Sequence, residues 1–296
     1  MIRLGYPTQN LTLRASTNRT LRLSTMGNAE KISTLVHRNL ADLEDILRWN
    51  ARYGFGLFRM GQSLIPFASH PAFPYDWQEE HARELRRAGS LAGKLDIRLS
   101  MHPGQYIQPG SPDPAISRRS IDELRYTARI FSMMGLTDGI IVLHAGGAHG
   151  DLRSSARRFV KALCDEEEIL RHLALENDER IWTVEEVVDL AITLGVPAIT
   201  DNLHHALNPG SITLRGALDL SLPTWEVRGT RPKVHLSSQA PGKQPGAHAY
   251  AIEPGDWTRL IDALDGRDTD VMLEAKGKER SLEKLGLSPG MLTSDP

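Results

Sequence analysis

The chain alternates short apolar runs with longer segments in which apolar residues recur every three or four positions. Short, nearly continuous apolar runs are typical of parallel strands covered on both faces, and the longer periodic segments are typical of amphipathic helices. The predicted strands are Ile2–Tyr6, Gly56–Gly61, Ile97–His102, Gly139–His144, Leu173–Glu176, Ala198–Asp201, Lys233–Ser237 and Asp270–Glu274. This alternation predicts a closed parallel α/β barrel, the TIM (β/α)8 barrel, with an open doubly wound sheet as the alternative fold.

One predicted helix carries signals at both ends. Thr183 and Glu186 have the spacing of a capping box, and Gly195 is the residue type that commonly ends a helix. Val187 and Leu190 belong to the apolar stripe between them. We therefore predict a helix that begins after Thr183 and ends at Gly195.

The length of the chain bounds the number of domains. One α/β barrel commonly takes roughly 250 residues, so a chain of 296 residues does not require a second domain. We expect a single domain over residues 1–296, with a flexible tail from about residue 280. No stretch approaches the roughly 20 apolar residues needed to span a bilayer. The chain begins on a predicted strand instead of a signal peptide, and its one cysteine, Cys164, cannot form an internal disulfide. We expect a cytoplasmic monomer.

Ionisable residues follow the apolar runs of six consecutive predicted strands. In chain order they are His102, His144, Glu176, Asp201 with His204, His235 with His248 beyond it, and Glu274. One histidine or carboxylate at a strand end is often structural, but six in succession are not expected by chance. The carboxyl ends of barrel strands surround one cavity, so these side chains are predicted to converge there.

The remaining histidines are predicted to play smaller parts. His204 and His205 are neighbours, and neighbours on a strand point in opposite directions, so only one should face the cavity. Four more lie in helical or loop patterns and are expected at the surface: His37, His81, His149 and His172.

Several carboxylates in one cavity repel one another, and burying their charge costs several kcal/mol unless it is paired. Divalent metal ions supply that pairing. A set of imidazole and carboxylate donors without thiolate suits Zn²⁺ or Mn²⁺, and the sequence leaves this choice open.

The net charge of −2, with eleven histidines counted neutral, does not indicate a DNA-binding protein. Binding to duplex DNA is driven largely by basic residues that release counterions, so a nucleic-acid role must depend on a local site. Bound divalent ions would offset the charges of Glu176, Asp201 and Glu274 and could make the cavity cationic. Further contacts with a nucleic-acid backbone could come from basic side chains around the rim of the cavity. The candidates are Arg14, Arg19, Arg22, Lys243, Lys276 and Lys278.

Several sequence runs together resemble the UV damage endonucleases. The resemblance extends from residue 1 to about residue 280, in order and with plausible spacing. The runs are Leu4-Gly5-Tyr6-Pro7, Phe58-Arg59-Met60-Gly61-Gln62, Pro66-Phe67-Ala68-Ser69-His70-Pro71, Ser100-Met101-His102-Pro103-Gly104-Gln105-Tyr106, Leu173-Ala174-Leu175-Glu176-Asn177-Asp178, Asp201-Asn202-Leu203-His204-His205 and Glu274-Ala275-Lys276-Gly277-Lys278.

The resemblance implies a barrel related to endonuclease IV, with up to three divalent ions, typically Mn²⁺. The metal ligands that the resemblance implies are the same residues that the strand-end pattern predicts. Among them, Glu176 is implied to be the carboxylate that bridges the metal ions. The resemblance also implies that Tyr6 and Asn10 lie beside the damaged bases and that Gln105 and Tyr106 probe the duplex at the lesion. The implied substrate is double-stranded DNA, nicked immediately 5′ to cyclobutane dimers and 6-4 photoproducts, with abasic sites as a further substrate.

For such a nuclease we expect an in-line displacement at phosphorus by a water whose pKa the metals lower, leaving a 3′-hydroxyl and a 5′-phosphate. We assign Glu176, Lys233 and His235 as the catalytic residues. Lys233 lies two positions before His235 and therefore on the same strand face, where an ammonium would repel metals. Three alternatives stay open: Lys233 contacts the scissile phosphate, its amine is neutralised (for example by carboxylation to a carbamate), or it turns out of the site.

Two other functions remain open. A sugar isomerase or epimerase gathers the same ligand types on the same fold, although it has little use for an exposed Gln105-Tyr106 loop. A non-catalytic damage-binding protein could use the metals structurally. Eight ligands for up to three metals leave positions for water, which favours catalysis over a closed structural site.

Overall fold

The computed structural model of the protein describes residues 1–287, and in this range eight parallel strands form one sheet. They are β1 (Ile2–Pro7), β2 (Phe55–Arg59), β3 (Arg98–Met101), β4 (Ile140–His144), β5 (Leu173–Glu176), β6 (Ala198–Ile199), β7 (Lys233–Leu236) and β8 (Thr269–Leu273). Neighbouring strands follow the order β6-β5-β4-β3-β2-β1-β8-β7. Every predicted strand is present, with bounds that differ by one or two residues.

The two end strands of this order meet and close the barrel. Asp201, just after β6, forms a parallel bridge with His235 on β7, and the His235 N–H donates to Thr200 O at 3.0 Å. The TIM barrel is therefore confirmed, and the open doubly wound sheet is wrong. Two predicted metal ligands lie at this seam.

Helices cover the outside of the barrel because each has one apolar face that packs against the strands. They are α1 (Ala29–Tyr53), α2 (Trp77–Glu80), α3 (Ala82–Lys94), α4 (Pro114–Met134), α5 (Leu152–Leu163), α6 (Glu167–Leu170), α7 (Val184–Leu194), α8 (Asn202–Leu207), α9 (Leu214–Ser221) and α10 (Pro254–Leu264). Short 3-10 turns lie at Leu23–Thr25, Leu222–Arg228, Lys278–Arg280 and Glu283–Leu285.

The predicted capping box is formed at the start of α7. The Thr183 side chain accepts from the Glu186 N–H, the Glu186 carboxylate accepts from the Thr183 N–H, and Gly195 ends the helix at φ 66°. Such a cap contributes about 1 kcal/mol.

The segment after β1 folds back over the barrel end. It contains a short antiparallel ribbon, Gln9–Asn10 with Ala15–Ser16. Glu279 is fully buried and its carboxylate accepts hydrogen bonds from the N–H groups of Leu11 and Thr12 and from the Thr12 hydroxyl. The chain after β8 therefore fastens the segment after β1.

The interior of the barrel is partly polar. Asp270 on β8 is buried and accepts from Arg3 at 3.0 Å and from Arg98 at 3.1 Å. Lys233 on β7 crosses the interior to Ser100 on β3. These polar pairs lie among the buried apolar side chains of the strands. They lie below the strand ends that carry the predicted ligands.

The end of the described chain is packed against the core: Leu282 is 1% exposed, and the partly buried Leu285 and Leu287 also pack there. The remainder of the predicted tail, residues 288–296, lies outside the described residues. Across residues 1–287 we find no helix long and apolar enough to cross a membrane.

Candidate metal centre

The carboxylate of Glu176 lies at the centre of the predicted ligands. His102, after β3, places its Nε2 atom 3.0 Å from Glu176 Oε2, and His144, at the end of β4, places its Nε2 atom 3.6 Å from the same oxygen. Glu176 is fully buried at the end of β5, and both histidines are half-buried. The ligand atoms of these three residues are close enough to hold one metal ion.

A second group is formed by Glu176, Asp201 and His204. His204 Nδ1 lies 3.8 Å from Glu176 Oε1 and 3.9 Å from Asp201 Oδ1. Asp201 caps α8 by accepting from the N–H groups of Leu203 and His204, and the Ser237 hydroxyl donates to its other oxygen at 2.9 Å. This cap fixes the carboxylate at the barrel seam.

A third group consists of Glu176, His235 and Glu274. His235 Nδ1 lies 2.6 Å from Glu176 Oε1 and 2.8 Å from Glu274 Oε1. His248 lies further out, with Nδ1 3.7 Å from Glu274 Oε2 and about a quarter of its side chain exposed. The structure thus brings all eight predicted ligands to one end of the barrel, and the three groups share Glu176.

Glu176 passes a direct test of fit to a cation. Its Oε2 atom is buried and has no hydrogen-bond partner among residues 1–287, although His102 Nε2 is 3.0 Å away. An orphaned buried carboxylate oxygen costs free energy unless a cation compensates it. The donor set, imidazole with carboxylate, suits Zn²⁺ or Mn²⁺. The residues present therefore fit divalent metal ions.

Backbone carbonyls orient three of the imidazoles. His102 Nδ1 lies 3.1 Å from Pro103 O, His144 Nδ1 3.3 Å from Glu176 O, and His204 Nδ1 3.0 Å from Asn177 O. A carbonyl can only accept, so each Nδ1 carries the proton. In the neutral form of each ring the Nε2 lone pair is then free, which is the tautomer that a metal-binding histidine needs.

The pKa values describe a site with excess negative charge. Burial acts to raise the pKa of Glu176, but His235 and His144 outweigh it and hold the pKa well below its usual value. Burial acts to lower the pKa of His204, but Asp201, Glu176 and Glu274 outweigh it and raise the pKa to about 9. The carboxylates therefore stay ionised and draw protons onto His204, a demand for positive charge that divalent ions also meet.

His102 behaves differently from His204. Burial lowers the pKa of His102 to about 4, against the opposing effect of Glu176. The imidazole is therefore neutral near pH 7, the form in which histidine binds a metal.

Arg59, at the end of β2, is a member of the site that the sequence patterns did not single out. Its guanidinium is buried, pairs with Glu274 Oε1, and lies 3.4 Å from His235 Nε2. The residue appeared in the sequence only within a run that resembles a family, because a cation is not expected inside a cation-binding site. Arg59 compensates part of the carboxylate charge from the side of β2.

Lys233 lies beneath the ligand layer and faces the interior. Its side chain is buried, and Nζ donates to Ser100 Oγ at 2.9 Å. Burial, with Arg59 and Arg98 nearby, holds the pKa of Lys233 well below its usual value. The side chain points into the barrel below the ligand layer, and the lowered pKa favours the neutral amine among the three alternatives. Because the Lys233 amine is buried, a substrate phosphate could not reach it directly.

The cleft above the ligands is open and has a volume of about 660 Å³. Its lining includes His102, Gln105, Tyr106, His144, His204, His248, Glu274, Lys276 and Lys278. Gln105 is exposed, and Tyr106 is 68% exposed at the tip of the loop after β3. The two predicted probe residues therefore project from the cleft wall.

Tyr6 and Asn10 are not at the surface of this cleft. Tyr6 lies on β1 and is completely buried; its hydroxyl donates to Asn50 Oδ1 and accepts from Asn10 Nδ2. Asn10 is 1% exposed. Their predicted contact with damaged bases stays a prediction, and it requires the segment after β1 to open.

Only some of the basic residues predicted to contact a nucleic-acid backbone line the cleft above the ligands. Lys276 and Lys278 line it, whereas Arg19 pairs with Asp42 on α1. Arg14, Arg22 and Lys243 are exposed.

Some expectations for histidines were wrong. His204 and His205 lie on helix α8 and not on a strand; His204 faces the ligand group, whereas His205 does not contribute to it. His81 and His172 are buried, since His81 bonds to Tyr75 and Glu84 and His172 bonds to Gly139 O. His37 and His149 are exposed, as expected.

The chain is similar to characterised and structurally solved proteins of one family. The family model described as UV-endonuclease UvdE matches residues 2–290. A UV DNA damage endonuclease of Clostridium perfringens is 32% identical over 290 residues, covering 96% of this chain and 69% of the relative. The crystal structure of SacUVDE superposes with a TM-score of 0.89 at 33% identity, covering 97% of this chain and 99% of that one.

More distant structures share the fold alone. Endonuclease IV from Thermus thermophilus has a TM-score of 0.57 at 14% identity, covering 95% of this chain and 96% of its own. An L-ribulose 3-epimerase has the same TM-score at 17% identity, covering 97% of this chain and 87% of its own. With a family model over nearly its whole length and relatives above 30% identity, the chain belongs to the UV-endonuclease UvdE family.

Proposed function

We propose that this protein is a metal-dependent DNA repair endonuclease that nicks double-stranded DNA immediately 5′ to UV photoproducts. The proposed lesions are cyclobutane pyrimidine dimers and 6-4 photoproducts, with abasic sites as a further substrate. The observation that carries the proposal is the buried Glu176 carboxylate, which belongs to three groups of ligand atoms at the base of an open cleft. Membership of the UV-endonuclease family supports the same function.

Up to three divalent ions, most simply Mn²⁺, would be held by the three groups that share Glu176. When bound, they would supply Lewis-acid activation of water and neutralise charge on the phosphate. His248 would complete the set from the outer side, next to Glu274. The added positive charge would attract a phosphodiester to a chain whose net charge is −2.

The residues of the chain prepare the site for an in-line displacement. Glu176 stays ionised and holds the cluster together, and the carbonyl-bound imidazoles keep their Nε2 atoms directed into it. A water oxygen bonds to phosphorus while the bond from phosphorus to the 3′ oxygen breaks. The water loses one proton and the 3′ oxygen gains one, so the products are a 3′-hydroxyl and a 5′-phosphate.

His235 and Lys233 complete the proposed catalytic set. His235 Nδ1 lies between the carboxylates of Glu176 and Glu274 and fixes their separation. The Lys233 amine, bonded to Ser100, lies below them and, as a neutral amine or a carbamate, avoids repelling the cations.

Lesion recognition is assigned to the exposed loop after β3. Photoproducts stack and pair poorly, so unstacking them costs less than unstacking normal bases. Gln105 and Tyr106 have the exposure and position of a wedge that enters the duplex there. Tyr6 and Asn10 would contact the bases after the segment fastened by Glu279 opens. We further propose that the enzyme acts as a cytoplasmic monomer.

A plasmid-nicking assay tests this function against the sugar epimerase alternative. Supercoiled plasmid, irradiated or not, is incubated with Mn²⁺-loaded protein, and the open-circular form is measured. We expect conversion of irradiated plasmid only, and none with Glu176→Gln. A protein that leaves irradiated plasmid supercoiled but epimerises a ketose would contradict the proposal.

A further inference from the structure

A second cluster of metal-binding residue types lies on the outside of the barrel. His37 on α1, and His81 and Glu84 at the start of α3, bring one ligand atom each within 4.8 Å of one another. None of the three is among the residues that line the cleft above Glu176, so the cluster is separate from the metal centre.

Glu84 lies between the two imidazoles. Its Oε1 atom is 2.8 Å from His37 Nδ1, and its Oε2 atom is 2.8 Å from His81 Nδ1. The two rings meet edge to face with centroids 4.8 Å apart. A carboxylate can only accept, so each Nδ1 carries a proton in this arrangement. A divalent ion bound to the same three donor atoms would take the place of the two Nδ1 hydrogens, and each neutral ring would then carry its proton on Nε2.

Tyr75 supports the metal-binding tautomer of His81. Its hydroxyl lies 2.8 Å from His81 Nε2. A hydroxyl both donates and accepts, so it can accept a hydrogen bond from Nε2–H once the ring proton has moved from Nδ1 to Nε2. An outer partner on the second ring nitrogen is the usual support for a metal-binding histidine.

The surroundings of the cluster favour a cation. His81 is completely buried, and burial lowers its pKa despite Glu84, so this imidazole is neutral near pH 7. Glu80 on α2 adds a second nearby negative charge. His37 is 51% exposed in its side chain, which leaves solvent access for an ion and for a water as fourth ligand.

We propose that His37, His81 and Glu84 form a zinc site that links α1 to α3. Two imidazoles, one carboxylate and a water are a ligand set that Zn²⁺ accepts in tetrahedral geometry, with Zn–N distances of about 2.0–2.1 Å. The imidazole content favours Zn²⁺ over Mn²⁺, which prefers oxygen ligands. The site stabilises the fold where α1 packs on α3 and takes no part in phosphodiester cleavage.

Zinc counting by equilibrium dialysis and elemental analysis tests this site. Wild-type protein, His37→Gln and Glu84→Gln are dialysed against the same low concentration of ZnCl₂. The wild type should retain one zinc per chain more than either variant. His149→Gln is the matched control, because His149 is exposed and outside the cluster, and it should retain the wild-type amount.

Thermal unfolding gives a second readout. Zn²⁺ should raise the unfolding midpoint of the wild type by more than that of His37→Gln, because an ion bound only to the native state stabilises it. Nicking of irradiated DNA by His37→Gln should equal that of the wild type, so this result is independent of the proposed function. Equal zinc counts and equal midpoint shifts in all four proteins would overturn the site and leave Glu84 as a hydrogen-bonded link only.

Discussion

His102 Nε2 lies 3.0 Å from Glu176 Oε2, and this oxygen has no hydrogen-bond partner anywhere in residues 1–287. The two residues come from the ends of β3 and β5, which are separated by β4. Bringing a neutral imidazole against an orphaned carboxylate oxygen has no structural benefit by itself. It is the arrangement expected of two ligands that share a cation.

Replacing Glu176 by Gln should remove both metal and activity. The amide keeps the shape of the side chain but loses the charge common to the three ligand groups. Loss of an outer partner of a metal ligand already costs about 10–100-fold, so nicking should fall at least about 100-fold. Metal content by elemental analysis and nicking rate are the measurements.

Glu226→Gln is the control, because Glu226 is exposed and belongs to none of the ligand groups. It should match the wild type in both measurements. Full nicking by Glu176→Gln would contradict the shared-carboxylate mechanism.

Replacing Gln105 and Tyr106 together by Ala should weaken binding to damaged DNA and leave metal content unchanged. Stacking of one base on an aromatic ring contributes about 1–3 kcal/mol, so affinity for a photoproduct duplex should fall about tenfold. Fluorescence anisotropy with damaged and undamaged duplexes measures it. Ile192→Ala is the control, since Ile192 is 67% exposed, nearly as much as Tyr106. Unchanged discrimination between the duplexes would refute the probe role.

Gly104 should position the Tyr106 ring. A Cβ atom at residue 104 would lie 2.6 Å from the Tyr106 ring, closer than real contacts allow. Gly104→Ala should therefore displace the exposed ring. Affinity for damaged DNA should fall, but by less than in the protein with both Gln105 and Tyr106 replaced by Ala. The free energy of unfolding should change by about 0.5 kcal/mol or less.

The matched control is Gly93→Ala on α3, where a Cβ would meet no atom of the described chain within 4 Å. It should raise the free energy of unfolding by roughly 0.5–1 kcal/mol, because Ala favours helix over Gly. Damage affinity should stay at the wild-type value. If Gly104→Ala also bound damage like the wild type, the packing of residue 104 on Tyr106 would be irrelevant to recognition.

Replacing Lys233 by Met should keep the fold and reduce nicking by about 10–100-fold, as expected of a group that supports the metal ligands without touching the phosphate. Met fills the buried space without an amine that must be desolvated, so the protein should be no less stable than the wild type. Urea unfolding and nicking rates test both parts. Lys94→Met, at an exposed position on α3, is the control. Wild-type nicking by Lys233→Met would remove Lys233 from the catalytic set.

The barrel and the convergence of the ligands were predictable from local pattern. Ionisable residues lie at or next to the carboxyl ends of six consecutive strands, and closed parallel topology alone places those ends together, as His144 and Glu176 illustrate. The strand pattern did not give the shared role of Glu176, which only the family resemblance implied; its strand lies between the strands that lead to His144 and Asp201.

Burial of polar residues was not predictable in the same way. His81 is buried because Tyr75 and Glu84 satisfy both of its nitrogens, and these partners come from a turn and a helix that no periodic pattern connects. Tyr6 is buried because the following segment folds back and is held by Glu279, more than 250 residues away in the chain. The place of Arg59 in the site could not be predicted, because it depends on the ion pair with Glu274, which only the folded structure shows.

The most direct test of the account is to map the cut on a duplex that carries one defined photoproduct. The metal-loaded protein is incubated with the duplex, labelled on either strand, and the fragments are resolved at single-nucleotide resolution with and without chelator. We predict one nick immediately 5′ to the lesion, with 3′-hydroxyl and 5′-phosphate ends, that is lost with chelator and restored by Mn²⁺. An intact duplex under every divalent metal, or the same nick in undamaged DNA, would contradict it.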